Sequence, residues 1–592
     1  MPLALRDGSP TEWRVRRIGV VGPGIVGMPM AAMLAHARIR IGEESPAVVT
    51  VVQRESTTSG WKVGAINEGR SPIGGVEPEL DRLVAEAHEA GLLRATHDYG
   101  ELADADVVLV AVQTDRKGDA PDYGPLMEAL TALATALRRK PAGNVPVVII
   151  ESTLAPSSMA TVVRAHFARH GLHDGRDLLL GNSPNRVMPG RLVERVRTSD
   201  KIVAGLHPAT AGLIRQLYSH IVTEGTLHPT NSLTAEVVKV LENAYRDVRI
   251  AYAAEVARDC DERDVDFYAV RDQVNERIAQ TDRASSDPSA VPTGGLLVPT
   301  VGVGGHCLPK DGVLLWWRAL EAGVDSSHSL ILGARRINDE SPAALLALAE
   351  RKFGALGGAT VALLGVAYRA DSEDTRNSPT LRLARLLSTH GCRVLLHDPY
   401  VAPHDQNLVA SGFAGSFSRE LAPTLADAEY VFICAGHAVY ARELGEIVRM
   451  APKLKGVVDG FHVVPHGATE LAGAPVAGIG RGREVPSPTF VDAVERGFRV
   501  MECGVANELA AIVDFLNARY ADRAADRVQV GEVRRLAGTC ITGCAIVEPG
   551  PAPRPDERAG LTSRLVHHAL RVARPRKSGA VKIRDEGEAV RG

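Results

Sequence analysis

The chain has 592 residues, with 68 Lys and Arg against 71 Asp and Glu for a formal charge of −3, so no global basic field exists to recruit nucleic acid or an anionic membrane. Its 45% hydrophobic and 23% charged residues are those of an ordinary globular protein, and its length predicts several domains rather than one core. No apolar stretch approaches the roughly 18 residues that span a bilayer, and the opening MPLALRDGSPTEWRVRR lacks the pattern of a secretory leader, so a soluble enzyme or binding protein in the cytoplasm is expected.

In chain order, RRIGVVG from Arg16 predicts a short strand ending in glycine, and GIVGMPMAAMLAHA after it predicts a helix. Further strands are predicted at VVTVVQ (48–53), DVVLVAV (106–112) and VPVVII (145–150), with PLMEALTALATALRR as a helix between two of them. DLLLGN and KIVAG, near 180 and 203, extend the same sheet. Buried strands alternating with helices predict a parallel sheet covered on both faces. From about Ala209 the pattern turns helical, and LTAEVVKVLENAYRDVRIAYAAEVARDC, free of Gly and Pro, predicts one long buried helix. QTDRASSDPSAVPTGG reads as a loop, and from Gly358 a second alternation follows in TVALLG, RVLLHD, YVFICA and VVDG.

Past Gly480, TFVDAVERGFRVMECGVANELAAIVDFLNARYADRA predicts a helix, VRRLAGTCITGCAIVEP a short strand or turn, and GPAPRPDER a linker. The last forty residues, with the basic cluster RPRKSGAVKIR, predict a solvated, partly disordered tail. The expected fold class is α/β, with two doubly wound domains joined by a central helical domain and followed by a C-terminal extension. The corresponding boundaries are 1–208, 209–340, 341–480 and 481–592.

GPGIVG (Gly22, Pro23, Gly24, Ile25, Val26, Gly27) sits after a strand and opens a helix, where a dinucleotide fingerprint must sit. Its first glycine makes the turn, its second admits the pyrophosphate, and its third packs helix on strand. The acid that usually closes the next strand is missing, because Gln53 stands there, followed by Arg54 and Glu55. Glu55 takes the ribose if the strand runs longer; Arg54 meets a 2′-phosphate otherwise. NAD is favoured and NADP stays open.

VGVGGHCLPKDG places glycines 302, 304 and 305 before Cys307, with Lys310 and Asp311 after it. A thiol so placed is a candidate nucleophile, and a small buried thiol is the alternative. The seven cysteines are too few for a disulfide framework, and Cys503, Cys540 and Cys544 lack a ligand set at zinc spacing, so no metal is expected.

Together these motifs resemble the UDP-glucose/GDP-mannose dehydrogenase family over roughly residues 16 to 480. EVVKVLENAYRDV resembles the family's central helix, with Lys239 and Asn243 at its lysine and asparagine positions, four residues apart on one helical face. VAVQTD resembles the segment bearing a threonine, Thr114, and IESTLAP the segment with Glu151, Ser152 and Thr153. LLGVAYRADSEDTRNSP resembles the family's second-half turn, matching Asp374, Arg376, Ser378 and Pro379, and HDPY at 397–400 is also similar.

The resemblance implies two Rossmann-like domains, NAD on the first, UDP on the second, Cys307 between them, and a homodimer built on the central helices. It implies oxidation of a sugar C6 alcohol through an aldehyde to a carboxylate. Cys307 would form the thiohemiacetal and thioester, while Lys239 and Asn243 stabilise the oxyanion. Asp311 would orient or deprotonate water, or hold Lys239, and Thr114 and Glu151 would lie near the nicotinamide or the reacting carbon. Gly22, Gly24, Ile25, Val26, Gly27, Arg54, Glu55, Thr114, Thr153 and Arg376 would contact the cofactor. Asn185, Arg186, Val187, Lys239, Asn243, Gly304, Gly305, His306 and Arg369 would contact the UDP-sugar. For His306, beside the thiol, a packing or substrate-contact role is favoured over that of a base.

NSPNRVMPGRL at 182–192 and the GVGGHC spelling resemble the UDP-N-acetylhexosamine branch more than the UDP-glucose branch. Asn185 departs from both, because it stands where they carry glutamate and an amide cannot serve as a base. In VVDGFHVV, Phe461 and His462 stand where family members often carry arginine near the nucleotide phosphates. Three rivals remain at this stage: UDP-glucose as substrate, a two-electron oxidation permitted by Asn185, and a non-catalytic nucleotide-sugar sensor.

Overall fold

The computed structural model describes residues 2–4, 10–74, 77–140, 145–187, 190–284, 294–540, 546–550 and 563–572. Two compact units result: residues 1–242 with 314–322 and 511–544, and residues 243–313 with 323–510 and 545–592.

The first unit is built on an eight-stranded sheet. Its strands are β1 (Arg17–Val21), β2 (Val48–Val52), β3 (Leu93–Thr96), β4 (Val107–Val110), β5 (Val147–Ile150), β6 (Leu179–Asn182), β7 (Lys201–Gly205) and β8 (Leu227–Asn231), in the order β8-β7-β6-β5-β4-β1-β2-β3. All neighbours are parallel except β6 and β7. The apolar runs follow from burial on both faces. Ile18, Val20, Val49, Val51, Val107, Leu109, Val147 and Ile149 enter one core, while Val21, Val52, Val108, Val110, Val148 and Ile150 enter the other. Each such side chain contributes about 1.5–3 kcal/mol when fully buried, so the central strands read as nearly continuous apolar runs. Helices α1 (Gly27–His36) and α2 (Gly124–Leu137) follow β1 and β4. Strand β8, LHPTN, escapes a sequence reading because it is an edge strand, half-buried or exposed throughout, with no apolar run.

Helix α3 (Ser232–Arg263) crosses the boundary between the units. From Ser232 to Ala257 only Lys239, Asn243, Arg246 and Ile250 are less than fully buried. Those steps of four, three and four residues trace one stripe, so every other face of the helix is covered.

The second unit holds a seven-stranded sheet of β9 (Thr360–Leu364), β10 (Arg393–His397), β11 (Phe417–Ser418), β12 (Tyr430–Ile433), β13 (Gly456–Asp459), β14 (Glu470–Leu471) and β15 (Ala474–Gly478), ordered β11-β10-β9-β12-β13-β15-β14. Only the β14–β15 pair is antiparallel. Helix α4 (Leu308–Glu321) begins directly after Cys307, and α5 (Pro379–Thr389) has Ser378 as its cap, accepting from the Leu381 N–H, with Pro379 at the first helical position.

The extension forms α6 (Pro488–Tyr520), α7 (Val530–Gly538) and α8 (Arg564–Val572). In the second unit α6 lies against α3: Tyr252 Oη donates to Val494 O at 2.7 Å and Tyr245 Oη to Glu502 at 2.8 Å. Two expectations are corrected here. VRRLAG is the body of α7 rather than a strand or turn. Residues 564–572 are a docked helix rather than a solvated tail, with Leu565, Val566, Ala569 and Leu570 buried and its first N–H groups bonded to Glu255. The linker GPAPRPDER lies outside the described residues apart from Gly550, as do residues 285–293 of the predicted loop and the basic tail after 572; residues 280–284 of that loop are helical.

Candidate active site

The first unit contributes a dinucleotide cleft of about 620 Å³ at the C-terminal ends of β1, β2 and β4. Gly22 has φ +93°, and a Cβ there would lie 2.7 Å from Ala111 O. A Cβ on Gly27 would collide with Gly22 O, so helix α1 packs on the turn only through glycine. Gly24, by contrast, faces open space with nothing within 4 Å. That opening is the room a pyrophosphate needs to approach the backbone, so the turn fits the group the fingerprint implies. Ile25 is exposed and Val26 half-buried. Gln53, Arg54, Ser59 and Lys62 line the far end of the cleft. Strand β2 stops at Val52, so the longer strand that would present Glu55 does not form, and Glu55 is an exposed loop residue outside the cleft lining.

Thr114 and Thr153 are brought together beyond β4 and β5, with Thr114 Oγ1 donating to Thr153 O at 2.8 Å. Glu151 is buried among partners. Lys201 Nζ donates to it at 2.9 Å, Tyr218 Oη donates to its other oxygen, and Asn185 Nδ2 also donates to it. Burial pushes the Lys201 ammonium down while Glu151 pulls it back up, and burial followed by Glu151 pushes the Tyr218 phenol far up, so Tyr218 stays a neutral donor. These contacts tie Glu151 to the loop after β6 through Asn185. Asn185 is buried in the same network, bonded also by Lys201 at 3.2 Å through its side chain and by Lys239 Nζ at 2.8 Å through its carbonyl.

The expectation for Arg186 is corrected. Its guanidinium donates to Glu242, to Asp200 O at 3.2 Å, to Leu536 O at 2.9 Å and to Thr539 Oγ1 at 2.7 Å, the last two on and just beyond α7. A guanidinium satisfied by four internal acceptors anchors the loop instead of reaching a substrate. Val187 packs against the core.

The second unit contributes the thiol. Cys307 is exposed, and its carbonyl accepts from the N–H groups of Lys310 and Asp311 at 3.1 and 3.0 Å, which starts α4. Gly304 and Gly305 pass tightly against Tyr368, Gly305 with φ +83°. Gly305 N donates to Arg376 O at 2.8 Å and Asn377 Nδ2 to Gly305 O at 2.9 Å, so the turn after β9 holds the thiol loop. Arg376, expected at the cofactor, pairs with Asp374 at 2.5 Å beside this loop, and burial, helped by Asp374, pushes the Tyr368 phenol up to about 12. His306 is half-buried and Arg369 exposed.

One turn after Cys307, Asp311 is completely buried. Its Oδ2 accepts from Asn243 at 2.6 Å and its Oδ1 from Lys310 at 2.5 Å. Asp311 thereby holds both Asn243 and Lys310 in place. Lys239 is one turn from Asn243 on the half-buried stripe of α3.

In the second unit a residue the sequence reading missed holds the turn after Asp459-Gly460: Arg481, twenty-two positions on, donates to Asp459 at 2.8 Å, to Pro465 O at 2.9 Å and to Val464 O. Only the fold brings it there. His462 is held by Pro299 O at 2.7 Å and by Tyr268.

Comparison with known proteins agrees with this layout. Residues 16–222 match the NAD binding domain of the UDP-glucose/GDP-mannose dehydrogenase family, residues 233–340 its central domain and residues 362–466 its UDP binding domain. A UDP-N-acetyl-D-mannosamine dehydrogenase of Pyrococcus horikoshii is 31% identical over 472 residues, spanning 79% of this chain and 99% of that protein. An NDP-N-acetyl-D-galactosaminuronic acid dehydrogenase of Ralstonia solanacearum is 31% identical over 437 residues, 72% of this chain and 92% of its own. The crystal structure of an NDP-N-acetyl-D-galactosaminuronic acid dehydrogenase from Methanosarcina mazei Go1 superposes with a TM-score of 0.65 at 30% identity, over 79% of this chain and 96% of that one. The chain belongs to the UDP-glucose/GDP-mannose dehydrogenase family, whose NAD-binding, central and UDP-binding domains it carries in that order.

Proposed function

We propose that the chain oxidises the C6 alcohol of a UDP-N-acetylhexosamine to the carboxylate. The observation that carries this reading is the linked set of Cys307, Asp311 and Asn243: an exposed thiol at a helix start, and one turn later a buried carboxylate that fixes an amide donor. NAD, when bound in the cleft of the first unit, supplies the acceptor for the two hydrides that separate an alcohol from an acid.

Cys307 Sγ adds to the C6 aldehyde and holds that carbon covalently between the two oxidations, so the aldehyde is not released. The carbon is then carried as a thioester, whose hydrolysis frees the acid and returns the thiol. Asn243 Nδ2 and Lys239 Nζ share one stripe of α3, and they stabilise the negative charge that develops on the C6 oxygen in addition and hydrolysis. Asp311 and Glu151 are positioning residues, the first for Asn243 and the second for the loop of Asn185. The relatives named for N-acetylhexosamine substrates and the RVMPGR loop support that sugar class over UDP-glucose.

All six described cysteines are free thiols, which suits the cytoplasm. A homodimer built on the central helices belongs to the same reading.

The test is reduced-nicotinamide absorbance against a panel of UDP-sugars, with product mass. We expect two reduced dinucleotides per sugar and a product heavier by the alcohol-to-acid change, with turnover lost in Cys307→Ser. One dinucleotide per sugar would replace this reading by a two-electron oxidation, and unchanged turnover in Cys307→Ser would remove the thioester.

A further inference from the structure

The far end of the dinucleotide cleft is chemically unlike a ribose diol site. A carboxylate at the end of the second strand binds the 2′- and 3′-hydroxyls of NAD and repels a 2′-phosphate. Here β2 ends at Val52 and the next side chain is the neutral amide of Gln53, whose Nε2 donates to Ser59 Oγ at 2.9 Å. Ser59 Oγ in turn lies 2.8 Å from Ser56 Oγ, so hydroxyls gather at the rim.

Two cations frame that rim. Lys62 Nζ donates to Pro23 O at 3.3 Å, within the phosphate-binding turn itself, and Arg54 lines the same cleft. Arg54 pairs with Glu128 at 3.1 Å, but both side chains are about two-thirds exposed, 65% and 69%. Such a surface pair is worth little and gives way to a dianion. His97 adds a ring nitrogen 2.8 Å from Gln53 O. Of the carboxylates lining the cleft, Asp122 Oδ1 accepts from Gly124 N at 3.0 Å and Asp115 Oδ1 from Arg116 N at 2.8 Å, which leaves Glu128 as the acid directly facing Arg54.

We propose that this rim is a 2′-phosphate site, with Arg54 and Lys62 on the phosphate and Ser59 as a further donor, so that NADP binds at least as tightly as NAD. The inference rests on the dinucleotide reading of the cleft, and it assigns Arg54 and Lys62 as specificity-determining residues.

The test is calorimetric titration of the full chain, without sugar, using NADH, NADPH, 5′-ADP and 2′,5′-ADP. We expect 2′,5′-ADP to bind about tenfold or more tighter than 5′-ADP, with a preference that shrinks as salt rises. Arg54→Ala should erase that preference and Lys62→Ala should reduce it. NADH binding with no advantage for 2′,5′-ADP would overturn this inference alone. An advantage that survives Arg54→Ala would overturn the assignment of Arg54. Failure of all four ligands would overturn the dinucleotide reading and this inference together.

Discussion

The two sheets begin alike and end differently. In each, a strand runs into glycine, Gly22 after β1 and Gly365 after β9, and both glycines have positive φ, +93° and +99°. Each glycine N–H donates to the last residue of the neighbouring strand, Gly22 to Val52 O at 2.9 Å and Gly365 to His397 O at 2.8 Å. The residue after that neighbouring strand decides the outcome. In the second unit it is Asp398, completely buried, whose Oδ2 accepts from Val366 N at 2.8 Å and Ala367 N at 2.9 Å, with His437 Nε2 at 3.1 Å. Its Oδ1 takes Tyr400 N at 2.9 Å. The second turn therefore carries its own anion. In the first unit the corresponding residue is Gln53 and the turn is open at Gly24. One strand-to-glycine turn thus yields a cradle for a ligand's phosphates in one unit and a self-satisfied structural turn in the other.

The largest effect expected from breaking this contrast is in Asp398→Ala. The variant strands several buried N–H groups and His437, which costs about 3–5 kcal/mol. Urea unfolding followed by hydrogen exchange in the second unit should locate the loss at β9 and β10. A variant as stable as the wild type would mean the turn does not depend on its carboxylate.

A carboxylate in each unit then makes pH act in opposite directions. Burial would raise Asp398, but the His437 hydrogen bond and the backbone amides outweigh it and hold the carboxyl below its ordinary value. Its contribution is present above the unfolded value of about 3.9 and is lost as pH falls through the folded one. In the first unit Glu236, on α3, accepts from Ser157 N and Met159 N at 2.7 Å each, and burial pushes it up to about 8. Its contribution is full below the unfolded value of about 4.3 and is lost as pH rises through 8. Melting curves should show the wild type losing ground to Glu236→Gln between pH 5 and pH 8. A constant gap over that window would show that Glu236 does not titrate there.

Much of this was legible in the sequence for a physical reason. A parallel sheet buried on both faces leaves a continuous apolar run, and a glycine between strand and helix leaves a fixed spacing, so both sheets and the first turn could be read directly. Cys307, Lys239 and Asn243 were picked out by local pattern, a glycine-rich run before the thiol and one helical turn between the lysine and the asparagine. Glu151 was not, because the side chains that occupy it, Lys201 and Tyr218, are 50 and 67 residues away. Arg186 was misread for the same reason, since its acceptors at Leu536 and Thr539 come from a segment with no local signature.

Filling the open turn is a smaller perturbation than emptying the closed one. A Cβ on Gly24 meets no protein atom within 4 Å, so Gly24→Val should melt within about 2 °C of the wild type. The same side chain occupies the space a pyrophosphate needs, and NADH should bind about tenfold more weakly in titration. Loss of folding, or unchanged binding, would each contradict the cradle.

The smallest effect tests whether the strand-end residue alone sets the difference. Gln53→Asp gives the first turn the residue type found at Asp398, yet the turn should not close. Pro23 occupies the place of Val366 and has no N–H to donate. The Gly24 N–H, equivalent to that of Ala367, already donates to Gly22 O at 2.9 Å. With neither amide available, the new carboxylate should stay at the rim, leaving the melting temperature within about 2 °C and NADH affinity within about threefold. It should weaken NADPH alone, by placing a like charge beside the 2′-phosphate. A marked rise in melting temperature with loss of NADH binding would instead mean that the anion had captured the turn, and that Pro23 was not what kept it open.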